Sequence, residues 1–259
     1  MKTKQPWLQQ MAKLGLLLMM GVSMSACAGL FGFGGTSWKE EVLLHDGSKI
    51  IVTRTAERGG RHEIGQEPPI KEQSLTFTMP GTNENVVWHD KFTDDIGGAN
   101  FLPMLLQVSK SIAYLVVHPM GCLSYNKWGR PNPPYVVFRY QDNAWTRIQL
   151  AELPGEFTTP NLIFSSPDHE AKKAGTSVVS AETIRALYDG YRQPEYKTIL
   201  REAYPTAAGG CSEMIQTNEG WEGLGFFRHQ PSYEACLKYC DRKGVNQQNC
   251  PCETLFKGK

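Results

Sequence analysis

Seven cysteines are the residues most committed to chemistry: Cys27, Cys122, Cys211, Cys236, Cys240, Cys250 and Cys252. Cys27 stands apart, at the end of an apolar stretch. The other six form an even set, and five of them follow Gly209. In an exported chain an even set reads as a disulfide framework. Ser232 is placed to cap a helix through Tyr239, which puts Cys236 and Cys240 at i and i+4 on one face. Helical backbone disfavours a bond between those two, and the spacing of Cys250-Pro251-Cys252 disfavours one there. Cys236 and Cys240 are therefore expected to pair with Cys250 and Cys252, in either order, leaving Cys122 for Cys211. The rival reading is a zinc site of Cys236, Cys240, Cys250 and Cys252 with His229. Its spacing lacks the paired C-x-x-C arrangement of common structural zinc sites. No metal or cofactor is expected.

Other reactive side chains are sparse. His62-Glu63 sits in a charged, glycine-flanked stretch, Arg58 to Glu63, where acid–base or metal work is conceivable. The second histidine of a His-Glu-x-x-His motif is missing. His118 lies four residues before Cys122, and Cys–His pairs make nucleophiles, but a bonded cysteine does not. Tyr125, Asn126, Trp128 and Arg130, with Tyr135 nearby, offer aromatic faces and polar groups for a sugar ring or an extended peptide. Filling the edge of a core is the competing use of such aromatics. No nucleophile elbow, Walker loop, paired-His zinc motif or EF-hand loop occurs. A non-catalytic role is thus favoured over a hydrolase whose residues are scattered along the chain.

The N-terminal residues give an address. Lys2, Lys4 and Lys13 precede the first acidic residue, Glu40, and an apolar run spans Leu14 to Val22. That run rises about 14 Å as a helix against the roughly 30 Å of a bilayer core, so it suits an export signal and not a permanent span. Met24-Ser25-Ala26-Cys27 follows and resembles the lipobox of bacterial lipoproteins, with Met24 where Leu is commonest. The resemblance implies a lipid on the Cys27 thiol, cleavage before Cys27 and acylation of the new amine. Several acyl chains would hold the protein stably on a membrane. Ala28, in place of the Asp that marks inner-membrane retention in that family, implies the outer membrane, facing the periplasm. Residues 1–26 are thus expected to be a signal peptide. Residues 27–37 form a lipidated Gly-rich tether, greasy at Leu30, Phe31 and Phe33.

The elements that must position these residues are mostly hairpins. Glu41–His45 and Lys49–Thr53 flank Asp46-Gly47, a pair suited to a tight turn. Ser74–Met79 alternates strictly and turns at Pro80-Gly81 into Asn85–His89. Leu102–Val108 pairs with Ile112–Val117, and Tyr135–Tyr140 with Ala144–Leu150. Eight strands predict antiparallel hairpins forming a sandwich, barrel or meander, with two propeller-like sheets as the minor alternative. Long loops are expected at 55–73 and 118–134. Past Leu150 the pattern turns irregular, with a helix over 180–188 capped by Ser180 and another within 194–204. The expected organisation is an antiparallel β domain at 38–165, a helical or irregular connection at 166–210, and a cysteine-rich region at 211–259. The fold class is mostly β with a small α, disulfide-rich C-terminal region.

Charge narrows the partners. The chain has 27 basic and 26 acidic residues, and loss of Lys2, Lys4 and Lys13 tips it slightly acidic. That balance argues against nucleic acid. The expected partners are a lipid anchor, an envelope protein and, through the 118–134 loop, cell-wall glycan.

Overall fold

The computed structural model describes residues 35–205 and 210–258. The signal segment, the lipobox with Cys27, and the tether as far as residue 34 lie outside the described residues. Among the described residues no helix is long and apolar enough to cross a membrane.

Among the described residues ten strands form three antiparallel sheets. Sheet one is a meander of β1 (Thr36–Leu43), β2 (Lys49–Arg58), β3 (Ile70–Thr78) and β4 (Asn85–Asp90). Sheet two is a second meander of β5 (Phe101–Ser109), β6 (Ile112–Pro119), β7 (Val136–Gln141) and β8 (Ala144–Ile148). A small hairpin, β9 (Met214–Thr217) and β10 (Gly220–Gly223), lies in the C-terminal region. Lys110-Ser111 and Asp142-Asn143 take positive φ at both residues, the geometry that matches a two-residue turn to strand twist.

The two meanders pack face to face as a sandwich. Alternation sends Val42, Val52, Leu75, Phe77, Val86 and Trp88 inward from sheet one. They meet Phe101, Leu106, Val108, Leu115, Val117 and Val136 of sheet two in one buried cluster. The opposite face of sheet two, with Met104, Val116 and Val137, is also buried. Its cover comes from residues 149–200, including α2 (Pro167–Ala174), α3 (Ala181–Asp189) and α4 (Pro194–Lys197). Burial on both faces accounts for the nearly continuous apolar run of β5.

Edges are closed by side chains and loop backbone, as exposed strand edges must be. Asn161 donates through Nδ2 to the carbonyls of Leu43 (2.9 Å) and Leu106 (2.8 Å), and its Oδ1 accepts Leu106 N–H. One amide thus stitches β1 to β5. Val179 bonds the outer edge of β1 at Lys39 and Glu41. The Trp145 indole N–H donates to the Val87 carbonyl on β4. A buried ion pair anchors the sandwich interior: Arg54 meets Glu40 at 3.0 Å, with exposures of 1% and 0%.

Two expectations need correction. The loop at 55–73 shortens to 59–69, because β2 runs to Arg58 and β3 begins at Ile70. The loop at 118–134 contains the end of β6 and a helix, α1 (Gly121–Lys127). Its start, at Met120, has no side-chain cap, so no start signal stands in the sequence.

Candidate functional site

The 118–134 segment is a socket. α1 buries Tyr125 and Asn126. Asn126 donates to the Cys122 and Ser212 carbonyls and accepts Met214 N–H. Arg130 lies 5.1 Å from the Tyr125 ring centre and donates to the carbonyls of Cys211 and Ser212. Trp128 packs on Phe101 at 4.6 Å, bonds Asn100 through its indole N–H, and carries Arg147 over its ring. Tyr135 is buried and donates to the Glu195 and Thr198 carbonyls, and burial pushes its phenol well up. The aromatic faces and polar groups proposed for a sugar ring are therefore occupied by the protein itself. What the socket holds is the C-terminal region.

That region, residues 210–258, is a small module of β9, β10, α5 (Leu224–Arg228), α6 (Tyr233–Arg242) and α7 (Cys252–Phe256). Its core is Phe227, Cys236, Tyr239, Cys240, Val245 and Cys252. Ser232 caps α6 by accepting Ala235 N–H. Cys122 is bonded to Cys211, Cys236 to Cys252 and Cys240 to Cys250. The sulfurs of Cys240, Cys250 and Cys252 lie within 4.8 Å of one another. All are consumed in bridges in this form, and His229 lies elsewhere, beside an open groove lined by Ser212, Leu224, Phe226 and Arg228. Phe226 is 60% exposed there. Phe226 thus stands as a single exposed aromatic ring on a covalently fixed frame.

His62 and Glu63 are both exposed. His62 Nδ1 bonds the Gly60 carbonyl at 2.9 Å, and Glu63 accepts from Gln66 at 3.4 Å. His118 sits beside Phe164 and Tyr196, donating through Nδ1 to the Pro119 carbonyl, and burial lowers its pKa. Cys122 is bridged and does not join it.

A separate cleft of about 360 Å³ opens at the far end of the sandwich, between the β1–β2 turn, residues 156–161 and α3. His45, Gln107, Glu156, Thr158, Glu182 and Arg185 supply its polar lining. Gln107 is buried, and its amide oxygen accepts both His45 N–H (2.8 Å) and His45 Nδ1–H (3.3 Å). An amide oxygen only accepts, so the proton sits on Nδ1 and a neutral ring keeps Nε2 as an acceptor. Glu182 is held below the ordinary carboxylate range by backbone hydrogen bonding at the α3 start and by Lys49. The cleft thus combines donors and acceptors above an apolar floor that includes Ile184. None of these residues was flagged by the sequence. The available signal was Gln107, a polar side chain within the apolar run of β5.

Comparison of the chain with protein-family models, with curated proteins and with solved structures finds no match.

Proposed function

We propose that the protein is a lipid-anchored envelope lipoprotein of non-catalytic type that binds a partner protein at the periplasmic face of the outer membrane. The address rests on the order of charged segment, apolar run and Met24-Ser25-Ala26-Cys27. The binding role rests above all on one observation: Phe226 stands 60% exposed on a module tied down by three disulfides. Fixed geometry lowers the ordering cost of association, and a rigid aromatic anchor is a common centre of binding energy. Arg228 and His229 rim the same groove and suit a polar border.

The test uses the full-length protein in its own envelope. A photocrosslinking phenylalanine analogue at position 226 is expected to give one discrete adduct. The same analogue at Val87, on the outer face of sheet one, is expected to give none. Equal or absent crosslinking at both positions refutes the partner reading. Labelled palmitate is expected at Cys27 and to vanish in Cys27→Ser; an unlabelled wild-type protein refutes the anchor.

A second reading, ligand binding, draws on the cleft of His45 and Gln107 and not on the 118–134 loop. Soluble cell-wall glycan fragments are the natural probe. Saturable binding weakened by Gln107→Leu favours it, and no binding by the wild type removes it.

A further inference from the structure

The β2–β3 connection carries an isoleucine that nothing in the protein covers. Ile64 is fully exposed, at 107% of the reference area. It occupies the second position of a turn closed by Gln66 N–H on the Glu63 carbonyl, with Gly65 at φ 88°. The base of this loop is fixed. Arg58 holds Asp168 with two hydrogen bonds of 2.7 Å. Gly59 N–H bonds the Pro69 carbonyl, and Arg61 N–H bonds the Gly97 carbonyl. Gly60, at φ 85°, lies so close to Gly97 that an added Cβ would stand 2.2 Å from its carbonyl oxygen. A rigid stem therefore presents an apolar tip.

The tip lies at the end of the sandwich where the chain enters. Thr36, the first residue of β1, faces Ala56, and Arg58 of the neighbouring strand faces Ile70. Cys27 precedes Gly35 by eight residues, a reach of at most about 28 Å. Arg61 and His62 flank the tip with Glu63, so its charge nearly balances and anionic lipid is not required. A tether this short gives an effective concentration of about millimolar order, enough for a weak insertion to persist.

We propose that the 59–66 loop docks on the lipid surface, with Ile64 seated at the boundary between headgroups and acyl chains. This rests on the lipid-anchor reading. Docking fixes how the sandwich stands on the membrane.

The experiment places full-length lipidated protein on phosphatidylethanolamine–phosphatidylglycerol vesicles and follows flotation and tryptic cleavage after exposed Arg61. The comparison is the same chain from Ala28, without lipid, mixed with the same vesicles. The lipidated protein is expected to float and to be cut about tenfold more slowly. Ile64→Asp is expected to float and be cut at the unprotected rate, while Ile64→Leu keeps protection. Both variants should keep the wild-type urea midpoint, since the side chain touches nothing. Floating protein cut at the unprotected rate overturns docking and leaves the anchor standing, as does protection that survives Ile64→Asp. Protein that fails to float overturns the anchor, and docking with it.

Discussion

Glu40→Gln tests whether the sandwich interior is organised around a charge pair. Glu40 Oε1 accepts the Trp38 indole N–H at 2.6 Å and Arg54 NH1 at 3.0 Å, and Oε2 accepts Ile163 N–H at 3.0 Å. Arg54 also donates to the Ile163 carbonyl at 2.7 Å and lies 5.1 Å from the Trp38 ring centre. The pair thus ties β1 and β2 to the segment that bridges the β1 and β5 edges. Removing only the Glu40 charge strands a guanidinium of 1% exposure, at a cost of about 3–5 kcal/mol. For a domain this size that is a fall in Tm of about 6–20 °C. Glu40→Gln with Arg54→Met removes both charges and leaves chiefly the Ile163 amide without its acceptor, about 1–3 kcal/mol. The double variant should therefore be more stable than Glu40→Gln alone. Urea unfolding with bridges intact and an unchanged denaturant slope reads this directly. Costs of the two single changes that simply add in the double would refute the argument, because two residues in one buried network must couple.

His118 gives a pH dependence with a definite sign. Burial lowers its pKa from 6.5, so as acid is added the unfolded chain takes up the proton first. Stability should be flat above that pH and fall below it, by at most about 1.4 kcal/mol per pH unit for one proton. His118→Phe should flatten the urea midpoint between pH 7.5 and 5; an unchanged slope would assign the dependence to other groups. Replacing Cys122 and Cys211 with serine opens a bridge spanning 89 residues. Chain entropy sets the loss at about 4–5 kcal/mol, and hydrogen exchange should quicken in the C-terminal module well before the sandwich. Gly60→Ala drives a methyl to 2.2 Å from the Gly97 oxygen at a φ of 85°. It should cost about 2 kcal/mol, visible in the urea midpoint, while Gly65→Ala, with open space at its Cβ, should cost less.

What could be read from the sequence was local. The hairpins announced themselves because Asp46-Gly47, Pro80-Gly81 and Asp142-Asn143 punctuate alternating strands. The Ser180 and Ser232 caps marked α3 and α6 for the same reason: the cap and the helix are adjacent in sequence. α1 stayed hidden because Met120 offers no capping side chain; α2 was legible but unread, with Pro167, Asp168 and Glu170 in its first turn and Lys172, Lys173 and Gly175 at its end. β9 and β10 are short, and their turn at Asn218-Glu219 has no glycine inside it. The distal cleft was illegible for a different reason. His45 and Gln107 are 62 residues apart and α3 arrives later still, so only tertiary packing brings them together. The aromatic loop shows the converse case. Tyr125, Asn126 and Arg130 have the chemistry of a ligand site, but that chemistry is satisfied by Cys211, Ser212 and Met214.

The distribution of disulfides follows from where apolar surface is available. The sandwich buries two large clusters and has no bridge within it among the described residues. The C-terminal module buries few side chains, half of its six-residue core being cysteine. A core that small cannot offset chain entropy by burial alone, so covalent staples do so. The same module leaves Phe226 in water, which a weakly held fold would tend to bury by rearranging. Asn100 and Phe101 N–H bond Asp90 at the end of β4, Met120 N–H bonds Asn100, and α1 follows. The module is thus carried at the end of the sandwich where β1 begins, with the His45 cleft at the other. If the chain is anchored at Cys27, a protein that grips Phe226 meets it near the lipid, whereas a ligand of the cleft arrives from the side away from it. The two binding readings therefore predict separable partners, and a Phe226 variant should leave the cleft's ligand untouched.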